Sequence, residues 1–376
     1  MNRKGIWLGV AAVLLALSAW LMSRGDAEKP TVKPPKVEFP RHSTPEESAR
    51  NQKRRTLPPL PAPSADAEGF VRRRDPMLVA LPVDPKRSAM VFELEALKDA
   101  PLMQAWIDCL LSKDDNDRER RGLERFEERY GIDPLEDVER IAVSSEKVML
   151  MQGSFGAAKF DPEVWTKRTY GEKGVIYEDP ESGRVVGMWG DDMMIASGGT
   201  ESADPIEDAI DRLESTDPAQ KSILDDYQAY GDVYGVLSPE DLAKMFSEDQ
   251  AALAAKVREV VEHVDIHVDA SEDVAMVADV RGPGGQDLED LSKSFGAALA
   301  VGRIKAQNDG DEKLAQLLDF AKVKPARGGS FSLDVALPFE VLKELGPCRK
   351  EPRGRDGNEV PTARPARPAQ PARPAQ

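Results

Sequence analysis

An uncharged run of 18 residues, GIWLGVAAVLLALSAWLM from Gly5 to Met22, constrains this chain more than any other feature. At about 1.5 Å per residue a helix over it spans roughly 27 Å, close to the ~30 Å hydrocarbon core of a bilayer. Trp7 and Trp20 stand near its two ends, where indoles favour the membrane interface. The run predicts an uncleaved single-pass anchor. A cleaved secretory signal is the alternative, with Ala16-Leu17-Ser18 as the small-residue site, although Trp20, Leu21 and Met22 continue the apolar run beyond it. No Cys follows within reach, which excludes a lipidated start. Arg3, Lys4 and the terminal amine favour residues 1–4 as a cytoplasmic stub, while Arg24, Lys29, Lys33 and Lys36 weaken the asymmetry. Long downstream domains translocate largely regardless of such charges, so the expectation is a chain with its bulk outside the cytoplasm, periplasmic in a Gram-negative cell.

Residues 23–74 hold nine prolines and little apolar periodicity. Such a segment buries too little apolar surface to offset the entropy of ordering and is expected to be a disordered tether. Its 52 residues reach roughly 40 Å root-mean-square. The clusters Lys53-Arg54-Arg55 and Arg72-Arg73-Arg74 suit anionic lipid heads or an envelope polymer, or simply lean on an acidic body. Residues 347–376 end in ARP and AQP triplets, read as a disordered basic tail of polyproline character.

Charge divides the chain. The net charge is +7 over residues 1–74 and +4 over 347–376, which with −16 for the whole chain leaves −27 on residues 75–346. A body this acidic lacks the cationic footprint that nucleic-acid binding requires.

The body reads as α+β. Strand-like runs are Met90–Leu94, Arg140–Ser144, Val148–Phe155, Val175–Glu178, Arg184–Trp189, Met193–Ser197, Asp232–Leu237, Val264–Ala270, Val274–Arg281 and Ser330–Leu337. Helices are predicted from Pro101 to Leu111, around Leu123 to Tyr130, at Asp133-Pro134, at Asp161-Pro162, and from Asp204 to Leu213. Further helices are predicted after Ser238-Pro239, over Ala251–Glu262, Asp287–Gln307 and Asp311–Phe320, and from Pro338. The order repeats coarsely, which predicts two antiparallel-sheet domains with packed helices, 75–216 and 217–346, related by an internal duplication.

The run FEERYGIDPLEDVERIAVSSEKVMLMQGSF, Phe126 to Phe155, resembles a passage of bacterial membrane-anchored proteins of the domain-of-unknown-function 3352 group, in which a GxDP helix start precedes a strand pair. The resemblance implies an anchored extracytoplasmic protein with a duplicated α+β body. It implies no catalytic residue.

Two cysteines occur, Cys109 and Cys348, a candidate disulfide in an oxidising compartment. The sharpest chemical motif is His263-Val264-Asp265-Ile266-His267-Val268-Asp269. On a strand, period two puts His263, Asp265, His267 and Asp269 on one face, a donor set suited to Zn²⁺. Residues two apart lie about 6.6 Å apart, so one ion needs help from a neighbouring strand; the rival reading is the polar face of a half-buried sheet. Asp114–Asp117 and Asn308–Glu312 lack the spaced glycine and glutamate of a calcium loop, and Ser144-Ser145-Glu146-Lys147 matches S-x-x-K at a hairpin rather than a helix start. No G-x-S-x-G, Walker A loop or dinucleotide glycine pattern occurs.

The sequence therefore points to a non-enzymatic, membrane-anchored binding or structural module of the cell envelope, without cofactor, held by its N-terminal helix and facing an envelope protein or polymer. The alternatives are a metal-dependent hydrolase using His263 and His267, and a carrier of a hydrophobic ligand lined by Met149, Met151, Met188, Met193 and Met194.

Overall fold

Strand β1 (Ala89–Glu93) alternates a buried face with a second, partly buried one, and it pairs on both sides. The computed structural model describes residues 57, 74–111, 117–197, 202–217, 220–246 and 250–345. The anchor run 5–22, the rest of the tether and the tail 347–376 lie outside them.

In chain order, helix α1 (Pro76–Ala80) leads into β1, α2 (Leu94–Asp99), α3 (Pro101–Leu111) and α4 (Asp117–Tyr130). Strands β2 (Val138–Ser144), β3 (Val148–Gly153), β4 (Thr166–Tyr170), β5 (Gly174–Asp179), β6 (Arg184–Trp189) and β7 (Met193–Ser197) follow, then α5 (Asp204–Glu214). The second half is β8 (Val233–Leu237), α6 (Pro239–Ala243), α7 (Ala251–Val260), β9 (His263–Asp269) and β10 (Val274–Arg281). It closes with α8 (Gln286–Asn308), α9 (Glu312–Asp319), β11 (Ala321–Arg327), β12 (Ser330–Leu337) and α10 (Phe339–Leu345).

The fold is α+β with one large antiparallel sheet. All twelve of these strands join it, in the order β11-β12-β10-β9-β8-β1-β2-β3-β7-β6-β5-β4. The two halves, expected to carry a sheet each, meet inside this sheet at the β1–β8 pair, where Ala89 faces Val236 and Phe92 faces Val233. Outward from that pair the order is the same on both sides: β1-β2-β3-β7-β6 on one, β8-β9-β10-β12-β11 on the other.

The register gives each face its cover. Ala89, Val91, Ala142, Leu150, Ile195, Tyr234 and Val236 share one face and pack under α1 and α5. Gly187 permits this approach, since a Cβ there would run into Ile206 of α5. On the other face α2, α6, α7 and α8 cover the second half, through Leu97, Ala243, Val257, Leu288 and Leu291 on Val264, Ile266, Val268 and Phe331. Over the first half, Phe126 and Tyr130 of α4 join Trp165 above Val138, Met151, Met188 and Met194.

Several expectations are corrected. Leu57, placed by sequence in the tether, is buried in the core, and its N–H bonds to the carbonyl of Arg74 at 3.0 Å. Asp133-Pro134 starts a turn rather than a helix, because only the residues between Gly131 and β2 are available. There the Asp133 carboxylate accepts the Leu135 N–H at 2.8 Å. Asp161-Pro162 likewise makes a single turn, its carboxylate accepting the Glu163 N–H. The edge strands β4 and β11 and the short helix α1 were not foreseen.

Candidate functional site

The polar groups of the sheet gather at its centre. Strand β2 reads VERIAVS, and the phase that buries Ala142 and Ser144 also buries Arg140, while a register shift between Val138 and Arg140 turns Val138 to the opposite face. Its register places Arg140 opposite Glu93 of β1 and Gln152 of β3. Above it, Asp75 caps α1 by accepting the Met77 N–H at 3.0 Å. The two Arg140 Nη groups donate to both Asp75 carboxylate oxygens, at 3.0 and 2.9 Å, a bidentate fork. Arg140 also donates to Gln152 Oε1 at 2.8 Å and to the Tyr234 hydroxyl at 3.0 Å. Its Nε lies 3.2 Å from Glu93 Oε1, a charge contact rather than an aligned hydrogen bond. The Tyr234 hydroxyl in turn donates a hydrogen bond to Glu93 Oε1 at 2.9 Å. Burial works against the guanidinium charge, but Asp75, Tyr234 and Glu93 outweigh it and hold its pKa well above the ordinary arginine value. Only 3% of Arg140 is exposed, so this constellation joins five segments of the chain, the α1 cap and strands β1, β2, β3 and β8, and has no reach to a solvent-borne substrate.

The predicted histidine strand adjoins it. Tyr234 faces His267 across the β8–β9 pair, and Val236 faces Asp265. Strand β9 carries His263, Asp265, His267 and Asp269 on one face, as the period predicts. Each is then drawn to a different neighbour. Asp265, buried, accepts from Gln228 Nε2 at 2.7 Å and from Arg281 Nε at 2.6 Å, with His263 Nε2 at 3.7 Å. Gln228 is held for this by a capping box with Asp225. The Arg281 pKa is raised: burial opposes it, and the Asp265 carboxylate more than compensates. His267 stacks on Tyr230, ring centroids 3.7 Å apart and planes 9° off parallel, with Nδ1 3.2 Å from the Tyr230 carbonyl oxygen. Asp269 accepts from the N–H and hydroxyl of Ser271 and so closes the β9–β10 turn. Among the described residues no three His, Cys, Asp or Glu side chains are grouped to hold a metal ion.

The other sequence candidates fall into structural places. Met193 packs in the core under α5, whereas Met151, Met188 and Met194, with Met149 against them, pack on the opposite face with Tyr130 and Trp165. The five methionines therefore line no common space. Asp311 caps α9 by accepting the Leu314 N–H at 3.0 Å. Ser144 and Lys147 flank the β2–β3 turn, Lys147 with φ 64°. Cys348 and the Cys109 side chain lie outside the described residues.

Arg140, Asp75 and Tyr234 were missed by sequence reasoning. The available signal was an arginine in the inward phase of a strand whose other inward residues are small or apolar, a position that demands a buried carboxylate partner.

Comparison with protein-family models, with curated proteins and with solved structures finds no match.

Proposed function

We propose that this chain is a membrane-anchored extracytoplasmic protein whose body binds or scaffolds in the cell envelope rather than catalyses. Gly5–Met22 is the anchor, the Pro-rich segment after it the tether, and the two similarly ordered halves of the body arose by duplication. The Phe126–Phe155 resemblance belongs to the same reading.

One observation carries the non-catalytic part. The two buried ionic groups at the sheet's centre are engaged by neighbouring side chains: Arg140 by Asp75, Gln152, Tyr234 and Glu93, and Asp265 by Gln228 and Arg281. Networks satisfied in this way fix which strands lie side by side, a specificity role known for buried polar groups in some proteins. The tether's exit is part of the network, since Asp75 follows the Arg72–Arg74 cluster.

A reporter enzyme active only outside the cytoplasm, fused after Gln376 in the native host, tests the placement. Reporter activity together with loss of the body on adding protease to intact spheroplasts supports the reading. A silent reporter with a protease-protected body refutes it.

A further inference from the structure

Helix α8 breaks the charge pattern of the body. From Leu291 to Asn308 it carries Lys293, Arg303 and Lys305 and no Asp or Glu, within a region of net charge −27. Its first half is packed: Leu288, Leu291 and Ser292 are buried, and Phe295 meets Phe246 and Phe331 at 6.0 and 5.6 Å between centroids. Its second half stands outward. Val301 is 63% and Ile304 57% exposed, and Ala297, Ala298 and Ala300 are exposed beside them. Positions 297, 301 and 304 follow the i, i+4, i+7 spacing of one helix face. Lys293 lies one turn before Ala297 and Lys305 one turn after Val301, so cations bracket an aliphatic stripe. The inner side of the same turns is engaged: Gly302 lies against Leu318, Arg303 bonds the Leu318 carbonyl and Asp319, and Ala306 is buried.

We propose that this stripe docks the body on an anionic lipid surface, Ala297, Val301 and Ile304 entering the headgroup region and Lys293 and Lys305 meeting phosphate oxygens. This is the arrangement of an interfacial amphipathic helix: one apolar face with basic flanks. Charge selects both the occupant and the orientation. Screening confines electrostatics to about 8 Å at physiological salt, so an anionic surface repels the acidic remainder of the body and admits the face that is free of carboxylates from Leu291 to Asn308, although Asp290 and Asp319 pair with Lys293 and Arg303 at its margins. Lys256 adds to that face near Asp290, whose carboxylate lies 3.2 Å from Lys293. Asp309 and Asp311 mark its end. The inference rests on the anchored reading: with Leu57 already packed on the body, the chain back to Met22 keeps a bilayer within roughly 30 Å of it.

The test is hydrogen–deuterium exchange on the full chain in phosphatidylcholine vesicles and in vesicles with roughly one-third phosphatidylglycerol. The proposal expects residues 297–305 to exchange several-fold more slowly with phosphatidylglycerol alone. That protection is expected to disappear in Val301→Asp/Ile304→Asp and to weaken in Lys293→Glu/Lys305→Glu, with β10 and β12 exchange unchanged. Equal exchange in both vesicles overturns it. Protection in both vesicles, or protection in detergent that grows with protein concentration, also overturns it and assigns the face to a second copy. If carbonate strips the chain from vesicles, the anchor reading has failed instead. Flotation of the released chain on phosphatidylglycerol vesicles then decides the docking, and a chain that stays at the bottom of the gradient overturns it.

Discussion

Replacing Arg140 by Met keeps most of the side-chain volume and removes a cation that pairs with both Asp75 and Glu93. The arginine and its partners are almost fully enclosed, with side-chain exposures of 4%, 11% and 9%. The loss is therefore that of breaking a buried pair rather than a surface one. Removing one member of a buried ion pair costs about 3–5 kcal/mol, because the remaining charge is left without compensation. With a urea slope near 3 kcal/mol/M, the midpoint falls by about 1–1.7 M. Trp165 and Trp189 report the unfolding by fluorescence. Adding Asp75→Asn and Glu93→Gln to Arg140→Met removes the stranded charges and is expected to recover most of the loss. A loss under about 1 kcal/mol for Arg140→Met at neutral pH, the range of an exposed pair, would show that the hub does not hold the sheet together.

Three further outcomes follow from the same structure. Gly235→Ala brings a Cβ onto the Ala89 carbonyl and to 2.8 Å from Met90 Cα at the seam, so overpacking is expected to cost about 1–3 kcal/mol in urea titration. Burial opposes the Asp241 charge, yet Lys244 and the hydroxyls of Ser88 and Ser238 hold its pKa below the ordinary value. Asp241→Asn is expected to cost about 0.5–1.5 kcal/mol at neutral pH, and because a depressed carboxylate stabilises above its unfolded pKa, the difference should vanish as the pH falls below about 4. His267→Phe keeps the stack on Tyr230 and loses the contact to its carbonyl. The reading expects a thermal midpoint within a few degrees of the parent and no change in the metal content of the purified chain by mass spectrometry, whereas loss of a stoichiometric metal would restore the hydrolase alternative.

The interior of the sheet was legible and its margins were not. Strands β6, β7, β10 and β12 carry apolar residues in the buried phase and end in turn residues, so periodicity finds them. The edge strands β4, TKRTY, and β11, AKVKPAR, are built of cations, with a proline and a register shift in β11. Those are the features that keep an edge from pairing further, and they erase the signal by which a strand is recognised. Helix α1 is five residues long and held by tertiary contacts: Arg212 bonds the Ala80 carbonyl and Ser222 the Leu78 carbonyl. Its one local signal is Asp75-Pro76, a capping carboxylate followed by a proline in the first turn. The common face of His263, Asp265, His267 and Asp269 was readable from period two. That Gln228, Arg281, Tyr230 and Ser271 claim its members separately depends on segments up to 37 residues away. The joining of both halves into one sheet follows from the β1–β8 pairing, between strands similar in length and composition to their neighbours.

The central claim is a body held to a membrane by its own N-terminal segment, and carbonate extraction of native membranes with intact mass of the recovered chain tests it most directly. The account predicts a chain that stays with the membrane and whose mass includes Met1 to Met22. A carbonate-soluble chain whose mass begins near Ala19 would contradict it.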